Sequence, residues 1–229
     1  MADQQPCILV TGYGGWADHD TNPSALLAES VTGHLVGGSL RVVTGVLPVD
    51  WTEAPAELQR LISTHAPRAI VCLGLAGGCT GLRVERLAAN LSNGTDNAEL
   101  LREDAPLVEG GPDAHAATLP TREMLHAITA AGVPAALSMS AGTYLCNAAM
   151  YHAIHHGTRR GIPAGFIHIP NTPELAVAEA AARGDASVAQ ASMSLDTMRT
   201  GLVAALEVVA SELALNAPAE AELGGSAKM

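Results

Sequence analysis

Residues 134–156 read PAALSMSAGTYLCNAAMYHAIHH. The apolar run 134–139 has strand length and is followed by four small residues, Ser140, Ala141, Gly142 and Thr143. Beyond them the apolar positions recur with helical spacing, which predicts a helix from near Asn147. The same strand–turn–helix alternation extends in both directions. Strands are predicted at 7–11, 40–47, 69–73 and 163–169, and helices from near Pro23, Glu53, Thr121 and Ser187. Asn22 stands where a cap precedes a proline in the first helical turn, and Thr118 or Thr121 does the same for the later helix. Such alternation implies an α/β fold, with a mostly parallel sheet covered by helices on both faces and right-handed crossovers.

A chain of 229 residues suits one α/β domain, read here as residues 1–215. The stretch 92–117 is rich in Asn, Asp, Glu, Gly and Pro. It is expected to be a structureless, mobile loop able to act as a lid. Residues 216–229 are small and polar and are expected to form a disordered tail.

The formal net charge is -11, and an acidic surface repels phosphate backbones and anionic membranes. Nucleic acid and membrane partners are therefore not expected. No apolar run approaches the ~20 residues of a membrane span, and the opening MADQQPCILVTG has no basic stretch before a long apolar one. A cytoplasmic location is the expectation. The four cysteines, Cys7, Cys72, Cys79 and Cys146, match no metal-ligand spacing. Cys7 and Cys72 lie in strand-like runs as small hydrophobes. Cys79 and Cys146 lie beside glycine turns, where a reactive group can be exposed.

Four segments could carry chemistry. Cys146 falls at the junction of turn and helix, where free backbone amides and the helix dipole favour a thiolate and a developing oxyanion. His168 ends an apolar strand in AGFIHIPNTPE, and strand ends are where sites gather in open α/β sheets. Glu85 lies in the alternating stretch LRVERL and could orient an imidazole. Each also fits a packing role: a buried cysteine at a helix start, a satisfied core histidine, a solvated glutamate beside arginine. His152 and His156 have i, i+4 spacing, but no third metal ligand is evident. In VTGYGGWADHD the glycines lack the lysine and spacing of a phosphate loop. The aromatics say more. Of only six, Tyr13, Trp16, Tyr144 and Phe166 fall in these segments, which points to a pocket with aromatic walls.

Taken together the segments resemble the pyroglutamyl peptidase I, or pyrrolidone-carboxylate peptidase, family from about Ile8 to Glu174. Ser138, Ala141, Gly142, Tyr144, Cys146 and Asn147 stand where the family's cysteine motif has them. Gly74, Gly77, Glu85, Arg86, Leu87, Ala88 and Asn90 match its acid region, GFIHIP its histidine segment, and Thr11, Gly12, Asn22, Pro23 and Ser24 its N-terminal spacing. The resemblance implies a three-layer α/β/α sandwich around a mostly parallel, mixed sheet. It implies a cysteine peptidase releasing N-terminal pyroglutamate, with Cys146 as nucleophile, His168 as base and Glu85 as acid. No metal or cofactor is implied, and the chain is expected to form a homo-oligomer, a dimer or tetramer.

Four departures stand out. The family's Phe-x-Pro-Phe run is Tyr13–Gly14–Gly15–Trp16 here, a looser turn. Cys79 replaces an arginine, Arg83 replaces a Ser or Thr, and a loop arginine has no counterpart in SNGTDN. Pyroglutamate is a compact neutral lactam. Tyr13 and Trp16 are expected to sandwich its ring, with Tyr144 nearby and backbone groups at Leu75 and Ala76 reading the lactam edge. Two other classes remain open: a pyroglutamate-binding relative without useful catalysis, and a nucleoside phosphorylase-like enzyme.

Overall fold

The structure, a computed structural model, describes residues 5–16, 19–184 and 190–216. Its centre is a seven-stranded sheet in the order β10-β5-β11-β4-β1-β3-β2. The strands are β1 (Cys7–Tyr13), β2 (Leu35–Val36), β3 (Leu40–Leu47), β4 (Ala69–Leu75), β5 (Leu82–Glu85), β10 (Ala135–Ser138) and β11 (Ala164–Ile169). Four neighbouring pairs are parallel, while β5 meets β11 and β2 meets β3 antiparallel. The sheet is therefore mixed and mostly parallel, as expected.

Two core layers follow from the two-residue period of the strands. Ile8, Val10, Val71, Leu73, Ile167 and Ile169 face one side, with α1 (Pro23–Ser30), α3 (Thr121–Ala130) and α6 (Leu195–Leu215). Leu9, Cys72, Ala164 and Phe166 face the other, with α2 (Glu53–His65) and α4 (Leu145–Thr158). The chain leaves β1 for β3 on one side and then crosses back to β4 on the other. Right-handed crossovers in opposite directions place α1 and α2 on opposite faces. They also leave a crevice at the carboxyl ends of β1 and β4, where the winding reverses.

Element boundaries differ from expectation where it matters. β1 and β4 each run two residues further than predicted, to Tyr13 and Leu75. Helix α4 starts at Leu145 instead of near Asn147, so Cys146 lies inside its first turn. The helix start expected near Ser187 lies outside the described residues; the final helix described begins at Leu195. The expected tail also lies outside them, apart from Asn216, which ends α6.

The segment 92–117 is not structureless. β7 (Ser92–Thr95) and β8 (Leu101–Ala105) form an antiparallel hairpin, and β9 (Ala114–Ala116) returns to pair with β6 (Leu87–Ala89). Some of its polar residues serve the backbone. Asp96 accepts the amides of Ala98 and Leu100 at 2.9 Å each and that of Trp51 at 2.8 Å. Just upstream, Asn90 accepts those of Leu107 and Val108 and donates to the Val108 carbonyl. A composition that reads as solvated is here a set of turn-forming side chains.

Candidate active site

β11 and β5 bring His168 and Glu85 together. Their antiparallel register sets Phe166 opposite Glu85. His168 follows Phe166 by two residues, so it shares that face and reaches Glu85 diagonally. His168 Nδ1 lies 2.8 Å from Glu85 Oε1. Both are buried, the glutamate at 1% exposure. Its Oε2 is buried without a hydrogen-bond partner among the described residues. A carboxylate held that way is best balanced by a charged imidazolium. This is a buried pair, not the solvated strand glutamate that its arginine neighbours also allow.

Helix α4 delivers the third group. Tyr144 is its N-cap in extended conformation, and Cys146 is the second helical residue, half-buried. The first amides of a helix have no intrahelical acceptor, so the Cys146 N–H is directed out of the helix end. Burial opposes the charged form of His168. Hydrogen bonding to Cys146 and then to Glu85, with their charges, outweighs that burial and raises its pKa to about 9. With Nδ1 on Glu85, Nε2 is left for the thiol. The arrangement places a thiol, an imidazole and a carboxyl group next to one another, the set that nucleophilic catalysis by cysteine uses.

The helix end is fixed from several directions. Asn147, fully buried, accepts the Ala89 amide and donates to the Ala89 and Leu91 carbonyls, pinning α4 to β6. Tyr144 Oη donates to the Thr95 carbonyl at 2.8 Å, and the Asn93 amide donates to Thr143. Gly142 has φ +79°, a left-handed turn that admits glycine without strain. Gly74, across the ladder from His168, leaves room for the Cys146 thiol: a Cβ there would lie 2.7 Å from Cys146 Sγ.

Beside the thiol lies a cavity of ≈ 180 Å³ lined by Tyr13, Trp16, Asn22, Val49, Leu75, Tyr144, Leu145 and Cys146. That is below the ~300–1,000 Å³ usual for small-molecule pockets and suits one compact group. A larger cleft of ≈ 380 Å³ lies elsewhere, lined by Arg68, Gly157, Ile162, Leu213 and neighbours, without cysteine or histidine. Tyr13, Trp16, Tyr144 and Leu75 thus line one cavity. Phe166 lies beneath, its ring centroid 4.8 Å from that of His168.

Ala76 does not join them. Its N–H donates to the Ile169 carbonyl at 2.9 Å and its carbonyl accepts the Cys79 amide. Both groups extend the β4–β11 edge and its turn, so its amide is already engaged, while its carbonyl keeps one lone pair. Cys79, expected to be exposable, is buried; burial raises its pKa despite Arg83. Asn22, Val49 and Leu145 were not expected to line the pocket from the sequence. Asn22 had a visible signal, its capping position, and it does accept the Ser24 amide at 3.0 Å. Val49 and Leu145 carry no chemical signal. His152 and His156 sit on α4, and among the described residues no group of three or more His, Cys, Asp or Glu is placed to hold a metal.

A sequence model of the family described as pyroglutamyl peptidase matches residues 7–212, which include all three groups. The pyrrolidone-carboxylate peptidase of Thermococcus kodakarensis is 36% identical over 210 residues, spanning 90% of this chain and 97% of the relative. That of Coprothermobacter proteolyticus is 37% identical over 210 residues, spanning 90% and 98%. Among solved structures, the pyrrolidone carboxyl peptidase from Thermococcus litoralis superimposes with a TM-score of 0.85 at 32% identity, covering 92% of this chain and 96% of that one. Bacillus amyloliquefaciens pyroglutamyl peptidase I gives a TM-score of 0.83 at 28% identity, covering 91% and 98%.

Proposed function

The chain belongs to the pyroglutamyl peptidase family, and from that premise we infer that it removes an N-terminal pyroglutamyl residue from peptides. The observation that carries the assignment of roles is the buried Glu85–His168 contact aimed at Cys146 beside a small apolar cavity. A lactam has no charge to neutralise, so flat apolar walls and a few hydrogen bonds suffice to hold it. Trp16 and Tyr144 with Val49 and Leu75 supply such walls. The charged residues nearest the chemistry are kept for the base.

Chemistry follows from the geometry. The Cys146 thiolate attacks the pyroglutamyl carbonyl carbon, and the carbonyl oxygen takes the negative charge near the α4 N-terminus. The C–N bond then breaks as the His168 imidazolium gives its proton to the leaving amine. A thioester remains on Cys146. Neutral His168 takes a proton from water, the hydroxide attacks the thioester, and free pyroglutamate leaves as the thiol is restored. Glu85 holds Nδ1 throughout, so Nε2 always faces the reacting atoms.

Cys146→Ala should abolish turnover of a pyroglutamyl aminomethylcoumarin amide while the variant remains folded. Measurable turnover by that variant would remove Cys146 from the mechanism. Among the described residues no helix is long and apolar enough to cross a membrane. A cytoplasmic location and a homo-oligomeric state, dimer or tetramer, are part of the proposal on family resemblance. Light scattering on the purified chain tests the second, and a monomer at working concentration would reject it. Fractionation of the producing cells tests the first.

A further inference from the structure

Tyr13 does something beyond walling the cavity. It is the last residue of β1 and is buried. Its amide donates to Ser24 Oγ at 2.9 Å. Its hydroxyl reaches into the first turn of α4, donating to the Leu145 carbonyl, with the Ala149 amide close by. Leu145 and Ala149 are the i and i+4 partners of a regular helix. The hydroxyl therefore adds a donor to the carbonyl of the second rung of the helix that carries Cys146, the first being the Ala148–Tyr144 bond.

The position has a chemical consequence. The Leu145 carbonyl and the Cys146 N–H belong to one planar peptide unit. A hydrogen bond to that carbonyl holds the plane and polarises the unit, making its N–H a better donor. That N–H leaves the helix end beside the thiol, where the substrate's oxyanion forms. The turn leading from Tyr13 is also built from Gly14 and Gly15. Glycines leave a chain more freedom to lose than proline does, so a tether at Tyr13 matters more in this sequence.

We propose that the Tyr13 hydroxyl is a positioning group for the reaction: it sets the Leu145–Cys146 peptide so that the Cys146 amide donates to the oxyanion. This rests on Cys146 being the nucleophile. Burial, followed by the charge of Cys146, pushes the Tyr13 pKa well above its usual value, so the hydroxyl stays a donor at working pH.

Tyr13→Phe isolates the hydroxyl, because the ring and hence the wall remain. The Leu145 carbonyl keeps the Ala149 amide as its helical partner, so no buried polar group is stranded. With a pyroglutamyl aminomethylcoumarin amide, kcat should fall about tenfold, less than the ~10²–10³ for loss of a whole oxyanion donor. KM should stay within about twofold, since uniform binding is untouched. The sharper readout compares two inhibitors. The aldehyde of pyroglutamate adds the thiol and forms a tetrahedral oxyanion, whereas 2-pyrrolidone fills the cavity alone. Tyr13→Phe should weaken the aldehyde about tenfold and leave 2-pyrrolidone unchanged. Equal effects on both inhibitors, or unchanged kcat, would overturn the proposal. Failure of Cys146→Ala to lose activity would instead overturn the nucleophile assignment. Should Tyr13→Phe not fold, 3-fluorotyrosine at position 13 keeps the ring and makes the hydroxyl a stronger donor. It should tighten aldehyde binding, and weaker binding would count against the idea.

Discussion

Gly74→Ala tests the packing around Cys146. A Cβ at Gly74 would lie 2.7 Å from Cys146 Sγ and 2.6 Å from Phe166 Cζ. Ordinary carbon contacts are ~3.5–4.0 Å, so the added methyl is about 1 Å too close on two sides at once. Phe166 is 1% exposed in the close-packed layer under α2 and α4 and has little room to retreat. Cys146, half-buried at the cavity mouth, can rotate. Relief therefore comes from swinging the thiol away from His168. A misplacement of ~1 Å at a reacting atom costs ~10²-fold in rate. Overpacking itself costs about 1–3 kcal/mol, from a total of about 5–15 kcal/mol, so the variant remains folded at 25 °C. Its Tm should fall by about 2–12 °C. The assay is kcat/KM on a pyroglutamyl aminomethylcoumarin amide, beside a thermal melt. Gly45→Ala is the matched control. Its Cβ would press on Leu61 Cδ1 at 2.3 Å, in the β3–α2 contact two strands from β4. It should lower Tm while changing kcat/KM by no more than about twofold, as expected for an independent site. If Gly74→Ala loses no more activity than Gly45→Ala, the steric argument is wrong.

Other substitutions probe the base and the wall. Glu85→Gln can turn its amide N–H toward Nδ1 and hold His168 in the wrong tautomer, so kcat at pH 7 should drop at least ~100-fold. Retention of a large fraction of activity would remove Glu85 from the mechanism. Stability should depend on pH through His168, whose pKa is raised in the folded chain from 6.5 to about 9. A raised pKa contributes fully below about pH 6.5 and fades as pH climbs through 9, a change on the order of 3 kcal/mol. Urea melts at the two ends of that window, on the native chain and on His168→Asn, measure it; equal slopes for both would refute the shift. Trp16→Ala opens one wall of the ≈ 180 Å³ cavity. It should raise KM about tenfold, the equivalent of ~1.4 kcal/mol, with kcat little changed; an unaltered KM would place the ring outside the substrate's reach.

The alternation of strands and helices was legible because each element carries its own period and its own punctuation. Asn22 before Pro23 and the apolar run 134–139 are local signals, and local signals survive in one dimension. The family motifs around Glu85, Cys146 and His168 were legible for the same reason, as ordered short runs. The hairpin of β7 and β8 was not. Its Asn and Asp residues read as solvated, and only a fold shows that Asp96 closes a turn against Trp51. The engagement of the Ala76 amide was not legible for a related cause, since its partner is Ile169, far along the chain.

By itself the sequence determined the layered α/β class, the chemistry available in each segment and the order of the motifs. Those depend on residue type and short-range spacing. Tertiary structure alone decided which groups meet. It joined Glu85 to His168 through the antiparallel register of β5 and β11, 83 residues apart. It carried Tyr13 to Leu145 across 132 residues. It also ran β1 and β4 two residues past their sequence signals, which placed Tyr13 and Leu75 at the cavity. Hydrogen bonds and close packing act over a few ångströms of space, and no local pattern states which distant residues will share that space.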